Sequence, residues 1–231
     1  MIEISNTKVF GYEAAIRGMR NPMNSWDKSD SGCRCSHEYD IYGNCDLCSH
    51  YIGENDYELM LKLCKAGTDH RKFMRMINVT CDIVAPLYWW KEFETYRVGV
   101  APNPMDIEIN SCSTMHKIAD KEFTIEDFSC EHLSHTSLEA CIGSSHGLLK
   151  HTIYMLNKLR NLYLETKDKK YWWQMIQLLP SSYNQKRTMM MNYEVLANIY
   201  KSRKNHKLDE WREFCKWIES LPYSELIVVG E

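Results

Sequence analysis

Leu149, Ile153, Leu156, Leu159 and Tyr163 fall on one stripe of a 3.6-residue period, which predicts an amphipathic helix over Leu148–Glu165. Ile77, Val79, Cys81 and Ile83 alternate with Asn78, Thr80 and Asp82, the pattern of a strand with one face buried. Pro86 suits the first turn of the helix that follows, through about Arg97. Upstream, Met1–Phe10 alternates weakly, as an edge strand does, and Tyr12–Arg20 reads as a helix that Asn21-Pro22 ends. Asn55 or Asp56 caps a helix that runs to Gly67, a C-terminal glycine. Tyr171–Leu179, Met189–Lys204 and Leu208–Ser220 are three further helices. Asp27–Gly53 is polar and carries glycine and cysteine, and Val98–Ser113 holds Pro102 and Pro104, so both read as loops. Many helices around few strands predict an α+β fold. The expectation is a single domain over residues 1–231, with a Cys-containing insertion at about 27–53.

Composition narrows the function classes. The 231 residues are 44% hydrophobic and 26% charged, the balance of a globular protein. A net charge of −3 gives no broad attraction to polyanions, and the basic cluster Lys201, Arg203, Lys204 and Lys207 is small, so nucleic acid is not an expected partner. No apolar run reaches spanning length, and the N-terminus has no basic flank with an apolar stretch. The expected location is the cytoplasm, with the ten cysteines as thiols or metal ligands.

Cys33-x-Cys35 and Cys45-x-x-Cys48 flank nine residues. Four thiolates would suit a closed, structural zinc site in a loop with little apolar content; reduced surface thiols are the plainer reading. Cys112 with His116, and Cys130 with His132 or His135, are candidate nucleophile–base pairs by proximity alone. The triplets Tyr88-Trp89-Trp90 and Tyr171-Trp172-Trp173 open helices, and such residues fill cores or subunit interfaces more often than they stack on ligands.

The segment from Leu179 to Arg212 carries the most specific signal. Leu179-Pro180 leads to Asn192, Asn198, Arg203, His206 and Glu210-Trp211-Arg212. On the predicted helix Asn192 and Arg203 lie about 20° apart around the axis, with Asn198 about 120° away. A guanidinium offers a fixed fork of donors to a carbonyl or phosphate, and an amide offers a donor and an acceptor, as a pyrimidine or a flavin edge needs. A solvated helix face is the plainer reading of the same residues. Order and spacing resemble the C-terminal half of the flavin-dependent thymidylate synthases, with no gap from Pro180 to Arg203. His70 to Arg97 is similar to the same family's His-containing turn, strand and helix with a Gln and an R-H-R. Glu92 falls on the Gln, and Thr95, Tyr96 and Arg97 fall on the R-H-R. Ser113 matches the serine of the family's S-x-R-Y, with Met115 and His116 in place of its arginine and tyrosine. Glu194 stands where Asn-x-Arg has its arginine. The similarity covers about residues 70–220, and the N-terminal third is unplaced.

The resemblance implies a small, mostly antiparallel sheet surrounded by helices. It implies reductive methylation of dUMP to dTMP with FAD, NADPH and methylenetetrahydrofolate, in a homotetramer. Arg203 is implied as the catalytic cation that polarises the uracil ring. His70, Arg97, Asn192 and Asn198 are implied as cofactor-binding, and Ser113 and Glu92 as substrate-binding. The lost arginines keep a second reading open: a non-catalytic nucleotide- or protein-binding module on the same fold.

Overall fold

A computed structural model describes residues 2–33, 50–97, 107–138 and 143–229. Four strands, β1 (Glu3–Phe10), β4 (Asn78–Pro86), β5 (Ile107–Ser111) and β6 (Asn184–Asn192), form an antiparallel sheet in the order β1-β4-β6-β5. A second, two-stranded sheet pairs β2 (Gly32–Cys33) with β3 (His50–Tyr51). The helices are α1 (Tyr12–Arg20), α2 (Glu54–Lys65), α3 (Leu87–Phe93), α4 (Ser145–Thr166), α5 (Lys169–Leu178), α6 (Tyr193–Arg203), α7 (Asp209–Glu219) and α8 (Glu225–Val228). The fold is α+β, as the pattern predicts. None of the described helices is long and apolar enough to cross a membrane.

The chain divides into two compact units. One unit comprises Met1–Ser5, Asp82–Tyr96 and Ile109–Thr188. Its core joins Leu149, Ile153, Leu156 and Leu159 of α4 to Met175 of α5 and to Ile118, Phe123 and Phe128. The predicted stripe is therefore the buried face, each large aliphatic residue contributing roughly 1.5–3 kcal/mol on burial. Ser144 caps α4 by accepting the Gly147 N–H at 3.0 Å.

The other unit comprises Asn6–Cys81, Arg97–Glu108 and Met189–Glu231. Here α6 packs against α7, α8 and a 3-10 turn at Lys72–Met76. Tyr193, Val195, Leu196 and Ile199 of α6 are buried, as are Trp211, Phe214 and Ile218 of α7. Gly11 permits the passage from β1 to α1: its φ is +96°, and a Cβ there would stand 2.1 Å from the Met76 carbonyl oxygen.

The start of α2 is fastened by a buried carboxylate. Asp56 accepts from Arg20 Nε at 2.6 Å and from the Ser29 and Ser31 hydroxyls at 2.6 Å each. The backbone N–H groups of Asp30 and Ser31 reach the same carboxylate at 3.2 Å. Arg20 spends its remaining donors on the Ser25 and Lys28 carbonyls, at 3.1 Å each. Burial alone would raise the Asp56 pKa; the two serine hydroxyls and the Arg20 guanidinium outweigh it and hold the carboxyl below its ordinary value.

Three sequence expectations change. The residue before α2 is Gly53, not Asn55 or Asp56, which lie inside the helix. Ile107–Ser111, read as part of a proline-bearing loop, is β5. Met189–Lys204 is not one helix: β6 runs through Asn192, and α6 begins at Tyr193. Three consecutive methionines favour a helix when taken alone, but sheet pairing and the burial of Met189 and Met191 override that preference. Gly67 takes the left-handed φ of +96° just past α2, as expected of a terminating glycine.

Candidate ligand-binding site

In the second unit, α6 carries Glu194, Asn198 and Arg203 of the residues that the sequence singles out. Asn192 is not on the helix but at its cap: the backbone is extended, and the buried side chain accepts the Val195 N–H at 2.9 Å. The angular relation between Asn192 and Arg203 drawn from a continuous helix therefore does not hold. Asn198 lies mid-helix and half-buried, and its carbonyl accepts the Ser202 hydroxyl at 3.0 Å. Arg203 ends the helix, half-buried, with its guanidinium over the ring of Trp211 at 4.9 Å. Trp211 is fully buried, so the cation–π contact anchors the guanidinium to a fixed ring. His206 and the same ring form a T-shaped pair with centroids 6.3 Å apart, and the His206 Nδ1 accepts the Leu208 N–H at 3.2 Å. Arg212 closes this turn by donating to the His206 and Lys207 carbonyls at 2.8 and 3.0 Å.

The N-terminal turn of α6 holds Glu194, which faces Arg71. Arg71 Nη2 donates to Oε1 at 3.1 Å, and Nε approaches Oε2 at 2.9 Å. The second approach lies off the line an N–H bond prefers, so it acts as ion pairing rather than as a hydrogen bond. The side chains are only 11% and 8% exposed. The carboxylate that stands in place of the expected guanidinium is thus neutralised by an arginine from another element. The sequence reading missed Arg71, although it adjoins His70. His70 itself is exposed on the turn before the 3-10 segment, its N–H bonded to the Gly67 carbonyl at 3.0 Å. Beside the pair lies Cys64, whose thiol burial pushes up to about 12, favouring the protonated form.

In the first unit, Glu92 and Ser113 lie beside residues bonded to β6, Trp90 and Cys112. Glu92 is half-buried on α3, and its carbonyl accepts the Thr95 hydroxyl at 2.7 Å. On the same helix Trp90 donates to the Gln185 carbonyl at 2.9 Å. The Ser113 hydroxyl accepts the Met115 and His116 N–H groups at 3.3 and 2.9 Å, and lies 3.2 Å from His116 Nδ1. Its neighbour Cys112 bonds β6 on both sides: its N–H reaches the Lys186 carbonyl at 3.0 Å, and its carbonyl accepts Gln185 Nε2 at 2.6 Å. Arg187, which sequence reasoning also missed, stacks on Trp90 at 4.3 Å, donates to Gln185 Oε1 at 3.0 Å and pairs with Glu94. Trp89 and Trp90 are core, whereas Trp173 of the second triplet is 54% exposed. A groove of about 450 Å³ in this unit, lined by Ile2, Glu3, Val84, Phe128, Cys130 and Asn184 among others, includes none of the residues that the family resemblance selects.

Arg97 closes the 3-10 turn Glu94–Arg97, and nothing of its side chain is described. Of the proposed zinc ligands, Cys33 sits in β2, while Cys35, Cys45 and Cys48 lie outside the described residues. Among the described residues, no group of three or more His, Cys, Asp or Glu side chains is placed to hold a metal.

No protein-family profile matches the chain, and no curated protein matches its sequence. Solved structures do match its fold. Thymidylate synthase X from Helicobacter pylori, crystallised with FAD and dUMP, superposes with a TM-score of 0.64 at 16% identity, over 99% of this chain and 97% of that one. A second structure of the H. pylori enzyme with FAD and dUMP gives 0.63 at 17% identity, over 98% and 97%. The chain has the thymidylate synthase X fold. The likeness includes the N-terminal third, which sequence comparison leaves unplaced. At this identity the thymidylate synthase X likeness is one of architecture, and the chemistry rests on the residues described above.

Proposed function

We propose that the chain binds a flavin and a pyrimidine nucleotide and acts as a flavin-dependent thymidylate synthase on dUMP, with NADPH and methylenetetrahydrofolate as co-reactants. The observation that carries this reading is Arg203, with its guanidinium over the ring of buried Trp211 at the end of α6, in a fold whose solved neighbours contain FAD and dUMP. Bound flavin would supply the hydride chemistry. The protein's part is positional and electrostatic. Arg203 donates to the ring oxygen on which charge develops as C5 of the base becomes nucleophilic. Asn198 and His70 are the amide and imidazole suited to hold the flavin or the nucleotide. Asn192 is engaged in the helix cap and supports the site through α6 rather than by contact. Ser113 and Glu92 are read as substrate contacts carried by elements anchored on β6. Arg97 completes the cofactor set, the active form is a homotetramer, and the compartment is the cytoplasm.

One observation favours a second reading. Glu194 occupies a position where the resemblance expects a guanidinium, and Arg71 is consumed in neutralising it. Such a site has one fewer cation for a phosphate, as in a binding module that has left synthase chemistry. Adding FAD to purified protein separates the two. Saturable uptake with the visible absorbance of bound flavin supports the enzyme; protein that stays colourless after added FAD removes it. Cys33, Cys35, Cys45 and Cys48 remain a proposed structural zinc set, independent of either reading.

A further inference from the structure

The segment from Arg71 to Ile77 is held to the start of α6 at both ends. At one end the Tyr193 N–H donates to the Ile77 carbonyl at 3.0 Å. At the other stands the Arg71–Glu194 pair, with both side chains about nine-tenths buried. Between them the 3-10 turn packs on α6 and buries Phe73 and Met74. The apolar contacts and the Tyr193 bond already secure the Ile77 end. What they leave to the ion pair is the other end, the exposed turn at residues 67–71, where the His70 and Arg71 N–H groups both bond the Gly67 carbonyl, at 3.0 and 3.1 Å. A buried ion pair is a poor source of net stability, because desolvation offsets much of the attraction. Its two-point geometry, one hydrogen bond and one close charge contact from the same guanidinium edge, is instead a good source of register.

We propose that Arg71 and Glu194 are positioning residues that set the His70 turn against the first turn of α6, so that His70 acts on the same ligand as the polar residues of α6. The proposal rests on the flavin reading only for the identity of that ligand. Neither side chain is asked to touch it.

The test uses the full chain and the variants E194Q, R71K, H70A and H70A/E194Q. Amide hydrogen exchange without ligand is the first arm. E194Q is expected to speed exchange at His70 and Arg71 at least tenfold while the protected amides of α4 keep their rates; unchanged exchange in the turn overturns the proposal. R71K keeps the charge and loses the fork, so it should produce the same local loosening if E194Q fails to fold, and full protection in R71K overturns the two-point geometry as the cause. FAD titration is the second arm. H70A and E194Q should each weaken binding, and the double variant should be no weaker than the worse single one. Losses that multiply would show that the two residues act separately, and would overturn the coupling. Wild-type protein that takes up no FAD sinks the flavin reading, and the exchange arm still decides the positioning claim.

Discussion

Among the described residues of the second unit, the Arg20–Asp56 and Arg71–Glu194 pairs are both buried, and they are bonded to different degrees. Asp56 accepts two hydroxyls, two backbone N–H groups and Arg20 Nε, while Arg20 also serves two carbonyls. Arg20 of α1 meets the charge of Asp56, and the loop at residues 25–31 meets the remaining hydrogen-bonding capacity of both side chains, so the network is a strut that holds that loop between α1 and α2. Arg71 and Glu194 have one well-formed hydrogen bond and one off-line contact to each other. These two contacts constrain the placement of the His70 turn against α6. The contrast separates a buried pair that builds the fold from one whose value lies in where it places its neighbours.

Breaking the strut should give the largest effect on stability. Asp56→Ala leaves the Arg20 guanidinium buried without its counter-charge, and is expected to cost about 3–5 kcal/mol in chemical denaturation. A loss below about 1 kcal/mol would remove the distinction between the two pairs. The same network sets an acid limit. Because the folded Asp56 carboxyl titrates below its ordinary value, its stabilisation is present above the unfolded carboxylate pKa of about 4, and fades as pH falls through the lower folded value. The gap between wild type and Asp56→Asn should therefore narrow below about pH 4, and a gap of constant size would contradict the assignment.

Next comes Arg203, which tests the reading of the opposite end of α6. Arg203→Ala is expected to lower dUMP-dependent NADPH oxidation by about 10²–10³-fold, the usual cost of losing one preorganised donor to a developing oxyanion. Undiminished turnover would remove it from the mechanism. The smallest effect belongs to the cap. Asn192→Ala should destabilise the protein by about 1 kcal/mol, with Asn192→Asp close to wild type. If Asn192→Ala instead abolished flavin uptake at unchanged stability, the side chain would be a ligand contact and not a cap.

Several of these elements were legible without coordinates. The α4 stripe was readable because four large aliphatic residues at helical spacing have one way to leave water together, and β4 was readable because strict alternation has one buried face. Arg203 as the basic terminus of a late helix was readable from its order after Asn192 and Asn198. The passage from β6 to α6 was not. Methionine carries no period of its own, and whether Met189–Met191 pair as strand depends on neighbouring strands from distant parts of the chain. The same non-locality hid β5, whose partner strand lies more than 70 residues away.

Local chemistry in the sequence determined which residues could carry charge, cap a helix or fill a core, since those capacities belong to the side chain and its near neighbours. Tertiary structure alone decided how those capacities were used. It turned Asn192 from a helix-face amide into a cap, brought Arg71 across 123 residues to Glu194, and laid Arg203 on Trp211. The physical reason is that a charge or an amide is committed by whatever stands within about 3 Å of it in the fold, and spacing along the chain does not encode that distance.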